Sequence, residues 1–204
     1  MEDHLELILI KSYNHFKFFE KDWITILDEN QNTNPFIEYE NVSNWLKHSD
    51  GKTEIEIYAV KEHNRVIAFF PFQLKKTWFG NVFQFLTVGD TYYVDIIARN
   101  RDMKRIIMYG LDNIISQKKN AVFLLQGKVE GGATFDNLSD YLRARNLKEQ
   151  TAQMITSEEE VDENRRKIIF STNTVKAKTY LNLLLLKEKV KTMRINRVSA
   201  KVKR

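Results

Sequence analysis

The amino-acid sequence predicts a protein of the mixed α/β (α+β) class, with a twisted sheet of about six or seven strands and helices on both faces. Three observations support this class. Runs of alternating or β-branched apolar residues are interspersed with segments whose apolar residues lie three or four positions apart. The length of 204 residues suits one domain of ordinary size. A short, wholly apolar run at 121–125 is typical of a strand inside a parallel sheet.

Strand and helix patterns follow one another along the whole chain. In order they predict a strand at 5–10, helices at 13–30 and 38–47, strands at 54–60, 66–70, 82–88 and 92–98, a helix after 102, a strand at 121–125, a helix at 134–145, a strand at 180–186 and a helix at 187–204.

Four details of this pattern are specific enough to check. The strand at 54–60 alternates with period two, so one of its faces is expected in water. Pro71 predicts that backbone pairing is broken at that residue or that the residue lies at a sheet edge. Asp102 is placed to cap the helix that follows it. The succession of strand, helix and apolar strand over 92–125 predicts a right-handed crossover between parallel strands.

The composition excludes several classes of protein. The chain has no cysteine, which excludes disulfides, thiolate metal sites and cysteine nucleophiles. No aliphatic run approaches the ~20 residues that a membrane-spanning helix needs. The first residues are acidic where a signal peptide would be basic, so a cytoplasmic location is expected.

The positive charge is concentrated at one end of the chain. Residues 1–164 carry a net charge of −7, whereas residues 165–204 carry +12 with Glu188 as their single acid. In the predicted terminal helix, Arg194, Arg197 and Lys201 are spaced to share one face. Such a face could contact phosphate, nucleic acid or a membrane surface, or it could be a solvated helix end.

The sequence lacks the common motifs of metal-dependent, hydrolytic and nucleotide-binding enzymes. The four histidines are scattered and none belongs to a metal-binding motif, so no metal is expected. The chain contains no nucleophile elbow, Walker loop or Gly-x-Gly-x-x-Gly motif.

One cluster, residues 89–95, combines tyrosines with carboxylates beside the predicted sheet. Tyr92 and Tyr93 could donate hydrogen bonds to a polar substrate, and Asp95 could act as a general base. The alternative is that the tyrosines pack in the core while backbone N–H groups satisfy Asp95.

Several short motifs, spread over residues 20–204, resemble a known family. They are Trp23-Ile24-x-Ile26-Leu27, Asn34-Pro35-Phe36-Ile37, Asn44-Trp45-Leu46, the strand Val66-Ile67-Ala68-Phe69-Phe70-Pro71-Phe72, Gly89 and Tyr92-Tyr93-Val94-Asp95. Together they resemble the acetyltransferase-like domain of cellulose-biosynthesis-associated proteins, a group of the GNAT superfamily allied to the Fem-type aminoacyltransferases.

This resemblance implies a GNAT-like sheet and an acyltransferase activity. An amine or hydroxyl of a small-molecule, polysaccharide or peptide acceptor would attack an acyl thioester, with acetyl-CoA or another acyl-CoA as donor. Asp95 would be the base, with Tyr92 and Tyr93 lining the substrate site. Arg194, Arg197 and Lys201 would contact the phosphates of CoA or tRNA.

Two features depart from the family pattern. The family's pyrophosphate loop, Gln/Arg-x-x-Gly-x-Gly/Ala, corresponds here to residues 98–102, which hold no glycine. Family members usually continue into a second GNAT-like half, and residues 165–204 resemble only the start of that half. We therefore expect an acyltransferase-type domain at 1–164 and a basic strand-helix segment at 165–204. Together they would be one half of a two-lobed transferase, either a truncated form or a divergent relative, and that half could be incomplete or inactive.

Two other functions are consistent with the same sequence. The chain could be a non-catalytic interaction subunit that forms a homo-oligomer or pairs with a missing second half. It could also be a nucleic-acid-binding module that uses its basic terminal helix.

Overall fold

The computed structural model describes residues 4–30, 35–48, 54–78, 80–88, 92–93, 95–118, 121–128, 133–147, 165–171, 178–180 and 182–183. In chain order the elements are β1 (Leu5–Ile10), α1 (Tyr13–Phe16), α2 (Glu20–Glu29), α3 (Tyr39–His48), β2 (Glu54–Glu62), β3 (Arg65–Thr77), β4 (Gly80–Phe85), β5 (Thr87–Val88), β6 (Tyr92–Tyr93), β7 (Ile97–Ala98), α4 (Met103–Gln117), β8 (Val122–Lys128), α5 (Ala133–Ala144) and β9 (Arg165–Phe170). Short 3-10 helices occupy Lys17–Phe19, Pro35–Ile37 and Asn100–Asp102.

Seven of these strands form one mixed sheet. Its order is β1-β2-β3-β4-β8-β9, and β7 pairs with β3 beyond the end of β4. The neighbours are antiparallel except β4 and β8, which run parallel. Parallel neighbours need a crossover connection, and here α4 lies in that connection.

Helices cover both faces of the sheet, which confirms the predicted fold class. Alternate residues of β2 show this directly: Ile57 and Ala59 pack with α1–α3, whereas Tyr58 and Val60 pack with α4 and α5. Successive side chains of a strand point to opposite faces, so the two helical layers lie on opposite sides.

The prediction that one face of residues 54–60 lies in water is wrong. Residues 55–60 are all buried, and Glu56 is only 1% exposed. Its carboxylate accepts hydrogen bonds from Lys118 Nζ (2.7 Å) and from the Tyr58 hydroxyl (2.5 Å). Glu56 is therefore a buried charge that is paired between β2 and the end of α4. The polarity of a residue alone does not distinguish such a buried pair from a solvent-facing side chain.

Two further predictions about strands need correction. Residues 92–98 do not form one strand, because β6 and β7 are separate and only β7 joins the main sheet. The parallel partner of β8 is accordingly β4. Tyr180, predicted to begin a strand over 180–186, is helical, as are residues 182–183. The Tyr180 side chain is buried against apolar side chains of β4, β8 and β9, and this packing outweighs the strand-like composition.

The tryptophan motif near the N-terminus has a structural role. The Trp23 indole N–H donates to the Ile37 carbonyl (2.8 Å), and its ring lies 4.8 Å from that of Phe69. Trp23 thus fixes α2 and the Pro35–Ile37 turn to β3 and is fully buried.

Candidate active site

A proline in β3 interrupts the sheet at the place where β3 changes partner. The Pro71 carbonyl accepts the N–H of Leu86 (2.8 Å), the residue after β4. In an antiparallel pair the return bond would come from the N–H of residue 71, and proline has none. Among the described residues, the strand register on this side of β3 ends at Phe85 and resumes at Ile97. On its other side Pro71 is paired with Ile57, so of the two alternatives the break is confirmed and the edge position is not.

Between these two points the described residues 87–88, 92–93 and 95–96 lie outside the main sheet, in a segment that we call the excursion. Part of this excursion is a small antiparallel ladder in which Thr87 pairs with Tyr93 and Val88 with Tyr92. The Gln73 side chain donates to the Thr87 hydroxyl (3.1 Å) and so attaches the excursion to β3. The main chain of β6 approaches β8 to within 8 Å between Cα atoms. Tyr92 and Tyr93 therefore lie beside β8, as part of the excursion.

The strands β4 and β8 pair over only three residues. Their parallel register runs from Val82–Val122 to Gln84–Leu124, and it extends no further in the described residues. β8 continues to Lys128, paired with β9 on its other side. β7 continues the line of β4 along β3, so the register puts residues 125–128 of β8 and residues 95–98 on either side of the same line, and no pairing joins them among the described residues. We call this unpaired region the cleft.

Asp95 lies at the edge of this cleft, two residues before the start of β7. It is half-buried, and its carboxylate accepts the N–H of Ile96 (2.7 Å) and a hydrogen bond from the Thr134 side chain. Burial raises the pKa of Asp95 from 3.8 to about 6, and the two hydrogen bonds oppose this rise. A carboxylate with a pKa near neutrality can accept a proton from a substrate and still be ionised at neutral pH.

Both sequence-based interpretations of Asp95 agree with this geometry. The carboxylate does accept a backbone N–H, as the packing alternative requires. It is also joined to Thr134, near the start of α5, which sequence reasoning did not connect with it. The only available signal was that Thr134 is a hydroxyl residue at the start of a predicted helix, following Gly131-Gly132.

The beginning of α4, where the resemblance implies a phosphate-binding loop, is bonded to α2. Arg99 forms a two-pronged ion pair with Glu29, with Nη2 to Oε1 at 2.9 Å and a second bond from Nε to Oε2. Asn30 donates to the Ala98 carbonyl (2.6 Å) and accepts the N–H of Asn100 (3.2 Å). These side chains join the last turn of α2 to the first turn before α4.

Asp102 does not cap α4 in the way that the sequence predicts. It is the residue before the helix, but its side chain makes no capping hydrogen bond. Its carboxylate instead lies 3.5 Å from the Arg105 guanidinium. The Asp102 N–H bonds to the Arg99 carbonyl, which closes the 3-10 turn that precedes α4.

The remaining predicted site residues, Arg194, Arg197 and Lys201, lie outside the described residues. Within the described part of the chain no group of three or more His, Asp or Glu side chains is placed to hold a metal ion. No helix in that part is both long enough and apolar enough to cross a membrane.

Comparison with known proteins gives matches only among solved structures. No family model matches the sequence, and no curated protein matches it. A probable acetyltransferase from Staphylococcus epidermidis is 10% identical, with a TM-score of 0.48 over 82% of this chain and 100% of that one. A probable GNAT-family acetyltransferase from Chromobacterium violaceum is 9% identical, with a TM-score of 0.48 over 83% and 87% of the two chains.

A tandem GNAT protein from the clavulanic acid biosynthesis pathway is 11% identical, with a TM-score of 0.45. The match covers 71% of this chain and 45% of that protein. These identities and scores assign neither an activity nor a substrate to the present chain.

Proposed function

We propose that this domain transfers an acyl group from a thioester to an amine or hydroxyl acceptor, and that the reaction takes place in the cleft. One observation carries the proposal: the pairing of β4 with β8 ends after three residue pairs, and Asp95, with a pKa raised to about 6, stands two residues before β7, which takes the place of β4 along β3 beyond that point. The resemblance in the sequence, with its Tyr-Asp motif at residues 92–95, implies the same class of reaction.

The reaction needs a base and a fixed approach of the two substrates. The acceptor nitrogen or oxygen forms a bond to the thioester carbonyl carbon while Asp95 takes the acceptor's proton. The C–S bond then breaks, and the proton passes to the leaving thiolate. Much of the rate enhancement in such a transfer comes from positioning of the two substrates.

The cleft also offers backbone groups for holding an extended substrate. Residues 125–128 pair with β9, and no second strand pairs with them among the described residues, so we take their other edge to face the cleft. Unpaired strand edges bind extended chains through main-chain hydrogen bonds. An extended thioester arm is a suitable occupant of this edge, with its carbonyl carbon near Asp95.

The experiment is an acyl-transfer assay with S-acetyl-pantetheine and a panel of amine and hydroxyl acceptors, followed from about pH 5 to pH 8. We expect kcat to rise with pH through about 6 and then to level off, because Asp95 acts in its ionised form. Asp95→Asn should lower the plateau by roughly 10²–10⁴-fold, the usual contribution of a general base.

A matched control is Asp28→Asn, which removes an exposed carboxylate from α2 and should leave the pH profile unchanged. If Asp95→Asn kept the full rate while remaining folded, Asp95 would not be the base. If no acceptor reacted with the wild-type chain at any pH, the proposed function itself would be wrong.

A further inference from the structure

The N-terminal end of α4 is a place where an anion would ordinarily bind. The first N–H groups of a helix have no partners within the helix, and they carry the positive end of its dipole. Phosphate groups bind at such positions. In a domain of the proposed function, the diphosphate of acyl-CoA would be a suitable ligand for this helix end.

The chain's own groups already use the donors at this end. The N–H of Asn100 bonds to the Asn30 side chain, and the N–H groups of Asp102 and Met103 bond to carbonyls of the preceding turn. The Arg99 guanidinium, whose side chain is 17% exposed, is paired with Glu29. Three donor N–H groups and one cation are therefore committed within the protein.

The Glu29 carboxylate also opposes a phosphate, although three arginines, Arg65, Arg99 and Arg101, lie close enough to lower its pKa. Glu29 places a carboxylate at the position where an incoming anion would meet Arg99, and the hydrogen bonds from Arg99 lower the pKa of Glu29. Glu29 therefore stays ionised throughout the neutral range. Arg65 Nη2 also lies 3.9 Å from Glu29 Oε1, and its charge further stabilises the ionised carboxylate. A bound phosphate would have to displace this carboxylate.

We propose that Glu29 and Asn30 close the N-terminal end of α4 to phosphate, so that the domain recognises its acyl donor by the thioester arm and not by a diphosphate at this helix. The first part concerns the fold alone, and the second part rests on the proposed function. The residues present do not fit the diphosphate of CoA at this position, and no step of the transfer is assigned to it.

Binding of inorganic pyrophosphate tests the first part without any assay of activity. Amide resonances of residues 99–103 are followed by NMR as pyrophosphate is added to the wild-type chain and to the double variant Glu29→Gln/Asn30→Ala. We expect no saturable shift in the wild type, which sets a lower limit for its Kd. In the double variant Arg99 and the Asn100 N–H are released, and its Kd for pyrophosphate should be at least about tenfold below that limit. A saturable wild-type response at these amides would overturn the proposal.

A matched control shows whether any gain is specific. Glu40→Gln/Asn44→Ala removes the same types of exposed side chain from α3 and should bind pyrophosphate no better than the wild type. Thermal unfolding of each variant confirms that it is folded. A folded Glu29→Gln/Asn30→Ala variant that gained no affinity would also contradict the proposal, because the closing side chains would then not be what excludes phosphate.

A comparison of two donors tests the second part. Acetyl-CoA and S-acetyl-pantetheine carry the same thioester arm, but only acetyl-CoA has the diphosphate and nucleotide. We expect their kcat/KM values to agree within about threefold. A preference of 100-fold or more for acetyl-CoA would overturn the inference while supporting the proposed function, whereas failure of both donors would contradict the proposed function.

Discussion

Replacing Asp95 by asparagine should make the folded protein more stable at neutral pH. The pKa of this carboxyl is 3.8 in the absence of the fold and about 6 within it, mainly because burial disfavours the charged form. Ionised Asp95 is thus less favourable in the folded chain than in the unfolded chain. A difference of this size in pKa corresponds to about 3 kcal/mol of folding free energy.

The sign follows from the raised pKa. Below about pH 3.8 the carboxyl is protonated in both states and costs nothing. Between about pH 3.8 and 6 the wild-type chain loses stability relative to the Asp95→Asn variant by up to about 1.4 kcal/mol per pH unit. Above about pH 6 the difference is constant. The asparagine amide retains an oxygen that can accept the Ile96 N–H.

Urea denaturation of both proteins at several pH values between about pH 4 and pH 8 measures the difference in their free energies of unfolding. The contributions of the other titrating groups cancel in this difference. Asp28→Asn, at an exposed position of α2, supplies the control for the loss of a carboxylate outside the cleft. A difference between wild type and Asp95→Asn that stayed constant from pH 4 to pH 8 would show that Asp95 is not desolvated. The argument for a base with a raised pKa would then fail as well.

Three other substitutions each test one contact of the structure. Thr134→Val should shift the acid-side midpoint of the pH–rate profile to higher pH by about one unit, because it removes a hydrogen bond that lowers the pKa of Asp95; an unchanged midpoint would contradict this contact. Gly110→Ala should destabilise the fold by about 2 kcal/mol in urea titration, because the new methyl group would overlap the buried ring of Phe70; equal or higher stability would contradict the close packing of α4. Lys118→Met should cost about 3 kcal/mol, because it removes the hydrogen-bonded cation of the buried Glu56 carboxylate and leaves only the Lys11 ammonium 3.9 Å away, and adding Glu56→Gln should restore much of that loss; no rescue would mean that charge is not the cause.

The sequence was most informative where local pattern and burial agree. The helical spacing of Phe16, Phe19 and Trp23 matches the buried face of α1, α2 and the 3-10 turn between them. The apolar run at 121–125 gave β8, and the proline at position 71 marked the break in the ladder. In these cases the local residue types and their spacing are sufficient to determine the structural element.

Tertiary context decided the features that the sequence missed. A glutamate at position 56 looks like a solvent-facing residue until Lys118, distant along the chain, is seen beside it. The same holds for Asp95 with Thr134 and for Arg99 with Glu29, since each pair joins two elements whose contact no local spacing encodes. Asp95 was identified from its neighbours in sequence, but its raised pKa arises from burial that only the fold shows.

The departures from regular structure converge on one edge of β3. Because Pro71 cannot return a hydrogen bond, the chain leaves the sheet after Leu86 and comes back at Ile97. That excursion places Asp95 where its ionisation opposes folding, and it delivers the chain to an α4 whose first turn is closed by α2. A costly carboxylate persists in a fold when something other than stability maintains it. The coincidence of the broken ladder with the destabilising carboxylate is therefore the strongest physical reason to look for the chemistry of this protein in the cleft.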